Sequence, residues 1–348
     1  MKIAIVRRSN DFSARWIDYC EKNGISYVIV DPFCVDIVNQ VRDCACFMWH
    51  FYHDDYRDKL FAKQLIYSLE NIGIKCFPNP RTMWHFDDKL GQKYLLEAIE
   101  APFVMSYVFY TKKEALTWIN STAFPKVFKL RGGAGAYNVK LIKTTNEAIK
   151  IVNKAFSKGF SSDYKKTSFL ESVRKWKAKQ ITTYEVVKKI AALVLKQHIN
   201  VKMTPREIGY VYFQEFVPNN TFDIRVCVVG DKAFALKRLT RKGDFRASGS
   251  GNIVYDKNQI DERCVRIAFD INKKIKAQSI AYDFVFDVQN IPLIVEISYA
   301  YAVRAYDKCE GYWDKNLNWH PGENFNFCGW MVEDLIRRCE DEKNTDIQ

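Results

Sequence analysis

Residues 124–142, FPKVFKLRGGAGAYNVKLI, set a lysine and three glycines between two apolar runs rich in β-branched residues. A P-loop requires Gly, four residues and then Gly-Lys-Ser/Thr leading into a helix. Here Lys129 precedes the glycines and no Ser/Thr follows them. A dinucleotide fingerprint also requires a helix after its glycines. Residues 137–142 instead alternate apolar and polar side chains, which is the period of a strand. The local unit is therefore strand, glycine turn, strand. Taken alone it reads as a β-hairpin whose glycines supply positive φ, and the rest of the chain decides whether the turn also holds phosphates.

Outward from this segment, 348 residues exceed what one hydrophobic core usually fills, so two or three subdomains are expected. No run of about 18 apolar residues is present for a membrane span. The apolar run at the start of MKIAIVRRSND is cut short by Arg7 and Arg8, too early for a signal-peptide core. A cytoplasmic location is the expectation. The ten cysteines are scattered apart from Cys44-Ala45-Cys46, with no zinc spacing, and read as free thiols. His50 and His53 lie in an aromatic segment where packing is the expected role. The +12 charge is concentrated between Lys154 and Arg206, where thirteen Lys/Arg face three acidic residues. That run suits an anionic partner or a solvated helix face, and no nucleic-acid motif accompanies it.

The N-terminal residues read as β-α-β: a strand over 2–6, a helix over 12–22 and a strand over 26–30, with further strands at 44–51 and 74–77 around a helix at 59–71. A boundary falls at Pro78-Asn79-Pro80. Helices follow at 87–100 and 111–120, then the opening hairpin, then a basic helical insertion from about 159 to 200. Beyond it strands return at 211–217, 223–229, 232–239, 283–288 and 291–297, with helices at 262–276 and 330–339 and a disordered polar tail from Asp341.

Charged residues interrupt strands that are otherwise apolar. Glu215, Asp223 and Arg225 lie in YVYFQEFVPNNTFDIRV, and Arg238 and Arg246 in KRLTRKGDFRASGSG. In AYDFVFDVQNIPLIVEIS, counting back from a turn at Gln289-Asn290 sets Asp283 and Glu296 nearly opposite each other. Two close carboxylates repel, so either a cation lies between them, with oxygen ligands favouring Mg²⁺ or Mn²⁺, or one is solvated or paired with an arginine.

Together these segments resemble the ATP-grasp superfamily, from about residue 87 to 333, and within it the ribosomal-protein glutamate ligases and their glutathione-synthetase-like relatives. The resemblance implies an α/β (α+β) ATP-grasp fold behind an N-terminal Rossmann-like pre-ATP-grasp domain. Its expected parts are residues 1–82, a small subdomain over 83–210 with the insertion, and a C-terminal subdomain over 211–340 with the metal site. It casts Lys89 and Lys129 as ATP-phosphate contacts and Gly132, Gly133 and Gly135 as the flexible phosphate loop. Gln214, Glu215, Phe216 and Val217 would frame adenine and ribose, with Asp223 opening the next strand. Arg225 and Arg246 would stabilise the transferring group, and Asp283, Glu296 and Ser298 would hold Mg²⁺ or Mn²⁺. Ser298 stands where the family usually has Asn.

The C-terminal GYWDKNLNWHPGENFNFCGWMVEDLI also looks like ATP-grasp proteins of surface-polysaccharide biosynthesis. The implied activity is an ATP-dependent carboxylate–amine ligase working through an acyl phosphate, with a small-molecule or sugar-linked acceptor. A kinase acting on a hydroxyl and a non-catalytic ATP-binding module are the alternatives. Trp313, Trp319 and Trp330 suit stacking on a sugar or, equally, core packing.

Overall fold

A computed structural model describes residues 1–8, 11–53, 55–132, 138–161, 176, 184, 205–241, 243–322 and 325–345. Gly133, Gly135 and nearly all of the expected basic insertion lie outside the described residues.

The chain opens with β1 (Lys2–Val6), α1 (Phe12–Lys22), β2 (Ser26–Val30), α2 (Ile37–Val41), β3 (Cys46–Met48), α3 (Tyr56–Asn71) and β4 (Lys75–Phe77). The continuous apolar runs of β1 and β3 are buried on both faces, as a parallel sheet with helices on each side requires. Asp11 caps α1 by accepting from the Ser13 amide, and Asp55 caps α3 by accepting from Arg57. The strands pair in parallel in the order β2-β1-β3-β4. That order reverses between β1 and β3, so the loops leaving these two strands flank one crevice, the usual ligand position in such sheets.

After α4 (Pro80–Met83) and α5 (Lys89–Ala98) come β5 (Ser106–Phe109), α6 (Lys112–Ser121), β6 (Lys126–Lys129), β7 (Val139–Ile142), α7 (Thr145–Ala155), β8 (Phe160–Ser161), β9 (Arg206–Glu207) and β10 (Val211–Glu215). The opening hairpin is present: β6 and β7 pair antiparallel from Lys126↔Ile142 to Lys129↔Val139. They extend a sheet of order β5-β10-β6-β7, with Ala115 and Ile119 of α6 and Val152 of α7 packed against Phe128 and Phe213.

The third sheet is built from β11 (Phe222–Val229), β12 (Lys232–Leu239), β13 (Ile253–Val254), β14 (Ser279–Phe286), β15 (Pro292–Ser298), β16 (Gly311–Asp314) and β17 (Trp319–Pro321), with α8 (Glu262–Ile275) before β14 and α9 (Phe327–Thr345) last. Its order is β15-β14-β11-β12-β16-β17, with β13 on β12. Alternation divides the side chains. Ile224, Val226, Val228, Ile280, Tyr282 and Phe284 pack beneath α8. On the opposite face Cys227, Val229, Phe234 and Leu236 join a core with Ile3 and Ile5 of β1, Phe12 and Trp16 of α1, and Phe327 and Leu335 of α9. The N-terminal and C-terminal sheets therefore share one core through α1 and α9. The tail expected to be disordered from Asp341 continues as helix to Thr345.

Candidate functional site

The face of the third sheet that buries Cys227 and Leu236 ends in charge. Residues two positions apart share a face, so Arg225 lies beside Cys227, Asp283 beside Ala281 and Arg238 beside Leu236. The register places Glu296 opposite Asp283 and Asp283 opposite Arg225, with Asp223 opposite Arg238. A cluster of three carboxylates and two guanidinium groups thus spans four strands.

The route to the Asp283–Glu296 pairing differs from the simple count. Phe286 pairs with Pro292, one residue out of phase with a turn centred on Gln289-Asn290, and a bulge between Asp283 and Phe284 restores the phase. The extra residue on β15 is Val295.

Arg225 donates to both oxygens of Asp283, at 2.5 and 2.6 Å, and Arg238 reaches the same carboxylate at 2.9 Å. Arg238 also donates to both oxygens of Asp223, at 2.6 and 2.7 Å. Burial alone would raise the Asp283 carboxyl, but the two guanidinium groups outweigh it and hold the group well below the usual carboxylate range. Glu296 is paired with Lys89 Nζ at 3.2 Å. Lys89 is the first residue of α5, whose N-cap Asp88 accepts from the Leu90 and Gly91 amides. Burial pushes the Lys129 ammonium down to about 8, with Lys89 adding to the shift and Glu296 and Asp283 opposing it. Two buried lysines near one carboxylate pair form a site poised for a polyanion.

The Lys89 amide donates to Arg131 O at 2.9 Å, which fixes the start of the glycine turn to α5. A Cβ on Gly132 would stand 3.2 Å from Asp87 Oδ2, so only glycine fits there without displacing that carboxylate. Asp87 in turn is paired with Lys59 of α3 at 2.6 Å.

Two cavities meet at this charged cluster. The first is lined by Lys129, Gln214, Glu215, Phe216, Val217 and Asp223, together with Arg246 and apolar residues of β6, β14 and β15. Gln214 is buried and donates to Ser106 Oγ at 3.1 Å, while Glu215 accepts from Lys126 at 2.5 Å and from the Tyr107 hydroxyl at 3.0 Å. Arg246 folds back on Asp244 through two bonds of 2.9 Å. The second cavity, about 430 Å³, lies on the other side of Asp283 and Glu296, a size typical of small-molecule sites. Its lining includes Arg225, Arg238, Ser298, Tyr301 and Tyr306 from the third sheet and the segments around it, and Tyr52 and His53 from the loop after β3. Asp283, Glu296 and Ser248 line both cavities.

Across its length the chain superposes on solved structures of one architecture. A RimK-domain ATP-grasp protein from Sphaerobacter thermophilus matches over 96% of this chain and 98% of its own, with 13% identity and a TM-score of 0.57. D-alanine–D-alanine ligase from Bacillus anthracis, complexed with ATP, matches over 98% and 99% at 12% identity and 0.57. The ATP-grasp ligase PsnB, complexed with a minimal precursor, Mg and ADP, matches over 97% and 98% at 14% identity and 0.53. The chain has the ATP-grasp fold. Residues 182–312 also match the family described as RimK-like ATP-grasp domain. No curated protein matches the chain by sequence.

In this ATP-grasp chain the donors suited to a divalent cation are the carboxylates of Asp283 and Glu296, hard oxygens at paired positions. Ser298 Oγ donates to Ala300 O at 2.9 Å, which leaves its oxygen lone pairs as the weaker third donor. Among the described residues no three His, Cys, Asp or Glu side chains gather into a metal-holding group. A divalent cation held there would compete with Arg225 for Asp283, whose two oxygens already accept from that guanidinium.

Three residues that line this site, Arg238, Tyr52 and His53, are not among the site residues expected from the sequence. Arg238 was visible as a charge inside a strand, but its link to Asp283 depends on pairing across β11. Tyr52 and His53 carried one signal, their place after the third strand of a parallel β-α-β unit, where the strand order reverses. His50, by contrast, stacks on Phe12 with ring centres 3.8 Å apart, the packing role expected of it. Trp313 is buried in the α8 core, Trp319 packs on Trp313, and Trp330 stacks on Phe325. None of the three lines either cavity.

Proposed function

We propose that this protein is an ATP-dependent carboxylate–amine ligase that works through an acyl phosphate. The observation that carries the reading is the sharing of Asp283 and Glu296 by two cavities. One combines apolar residues of β6, β14 and β15 with Lys129, which suits adenine and phosphates. The other is large enough for a small-molecule acceptor. Gln214, Glu215, Phe216 and Val217 would frame adenine and ribose, with Asp223 opening the next strand. Lys89, Lys129 and the backbone of Gly132, Gly133 and Gly135 would neutralise and wrap the phosphates. Arg225 and Arg246 would stabilise charge on the transferring group. Mg²⁺ or Mn²⁺ held by Asp283 and Glu296, with Ser298 as a weak third ligand, would supply charge neutralisation to the triphosphate.

The solved neighbours support the ligase class, since D-alanine–D-alanine ligase and PsnB are named as ligases. A surface-polysaccharide role rests on the C-terminal resemblance alone and is the weaker part of the reading, because the tryptophans that suggested a sugar platform pack elsewhere. The test is trapping. With ATP, Mg²⁺ and a panel of amino acids and uronic acids, hydroxylamine should yield a hydroxamate together with ADP. ADP release with a phosphate ester and no hydroxamate would point instead to a kinase, and no ADP under any acceptor to a binding module.

A further inference from the structure

Amide formation has a requirement that the residues assigned above do not meet. At neutral pH an acceptor amine is an ammonium ion. The ammonium must first give up one proton to free its lone pair. As that pair forms the C–N bond to the acyl carbon, the C–O bond to phosphate breaks and phosphate leaves with the electron pair of that bond. The nitrogen then releases a second proton, which the departing phosphate can take. The acceptor cavity therefore needs a base.

The acidic residues lining that cavity are already engaged. Asp283 is held by Arg225 and Arg238, Glu296 is paired with Lys89, and Asp87 with Lys59. Tyr301 and Tyr306 are buried, which raises their hydroxyls well above 10, so they stay protonated. Among the described residues one imidazole lines the cavity, that of His53. Of the other described histidines, His50 and His85 are buried away from it, burial pushing His85 down to about 3, and His320 lies on β17 beside Asp314.

His53 sits in the loop leaving β3, at the point where the N-terminal sheet reverses its order. Its ring packs at 4.2 Å from Tyr52 and 6.5 Å from Phe86. The loop is anchored by the Tyr52 amide, which donates to Asp58 Oδ2 at 2.8 Å, while Asp58 is held by Arg8 at 2.5 Å. Among the described residues, Tyr52 and His50 lie beside it on its own loop, and Asp87 before α5 lines the same cavity. Arg225, Arg238, Asp283 and Glu296 face it from the third sheet across the cavity. We propose that His53 is the general base that accepts the acceptor's ammonium proton so that the amide can form.

The proposal rests on the ligase reading, and two nucleophiles separate their fates. Hydroxylamine is largely uncharged at about pH 7.5 and needs little help losing a proton, whereas glycinamide carries more ammonium and is less reactive without a base. Wild type and His53→Gln would be assayed with ATP, Mg²⁺ and the same amino-acid and uronic-acid panel, using each nucleophile in turn. The expected result is a loss of amide formation with glycinamide on the order of 10²-fold or more beyond any loss with hydroxylamine. Free imidazole should restore amide formation to His53→Gly, which guards against a folding defect in the Gln variant. Equal losses with both nucleophiles, or no rescue, would overturn the role of His53 and leave the ligase reading standing. No hydroxamate from wild type would overturn both.

Discussion

Lys129 shows how burial and ligand chemistry interact at a single residue. Its ammonium is pushed down to about 8 from an ordinary 10.5 by burial. Between those values the unfolded chain binds more protons than the folded one, so the lysine's contribution to stability improves as pH rises through that window and is least favourable below it. A triphosphate beside the amine reverses the shift by restoring the charged form. ATP binding at about pH 8.5 should therefore take up a proton that binding at about pH 6.5 does not. Calorimetry in buffers of different ionisation enthalpy reads this directly, and Lys129→Met should abolish the uptake. This residue was legible in the sequence because a lysine before a glycine turn is a local pattern. Arg238 was not, since its meaning depends on a carboxylate 45 positions further along, Asp283, reached only once strands pair.

The same contrast holds for the elements. Strand β1, helix α1 and strand β2 match their expected limits because apolar periodicity and Asp or Gly punctuation are local signals. Strand β14 begins at Ser279, four residues before the expected strand, because Ser279 and Ala281 are small residues buried by packing that composition does not reveal. The bulge at Val295 was equally hidden: Pro292 to Val295 is an unbroken apolar run with no alternation to interrupt, and only the partner strand exposes the slip. Inserting one alanine after Val295 should enlarge the slip, moving Glu296 off its place opposite Asp283 and away from Lys89. Activity measured as ADP release should fall by at least about 10²-fold, the scale of losing one transition-state contact, while the thermal melt remains cooperative. Unchanged ADP release would show that the bulge does not set the site.

At the scale of the whole molecule, the fold class followed from the order of segments, whereas the larger of the two cavities at the charged cluster did not, because its walls come from opposite parts of the chain. What joins those walls is the core shared by α1, α9 and the inner faces of two sheets. Leu335 is fully buried there. Leu335→Ala should cost about 2–5 kcal/mol, read by denaturant titration as a lower midpoint with the two sheets unfolding in one transition. Two separated transitions would show that the sheets are stabilised independently.

The placement of α9 also bears on biosynthesis. On the ribosome the β1–β4 unit emerges first, yet part of the apolar surface behind Ile5 and Phe12 is covered only when Phe327 and Leu335 arrive. Until then a nascent chain carries a sticky, half-shielded layer that invites chaperone capture. Premature termination between Ser298 and Phe327 would therefore leave a product that is both inactive and prone to aggregate, although every residue proposed to contact ATP had already been made.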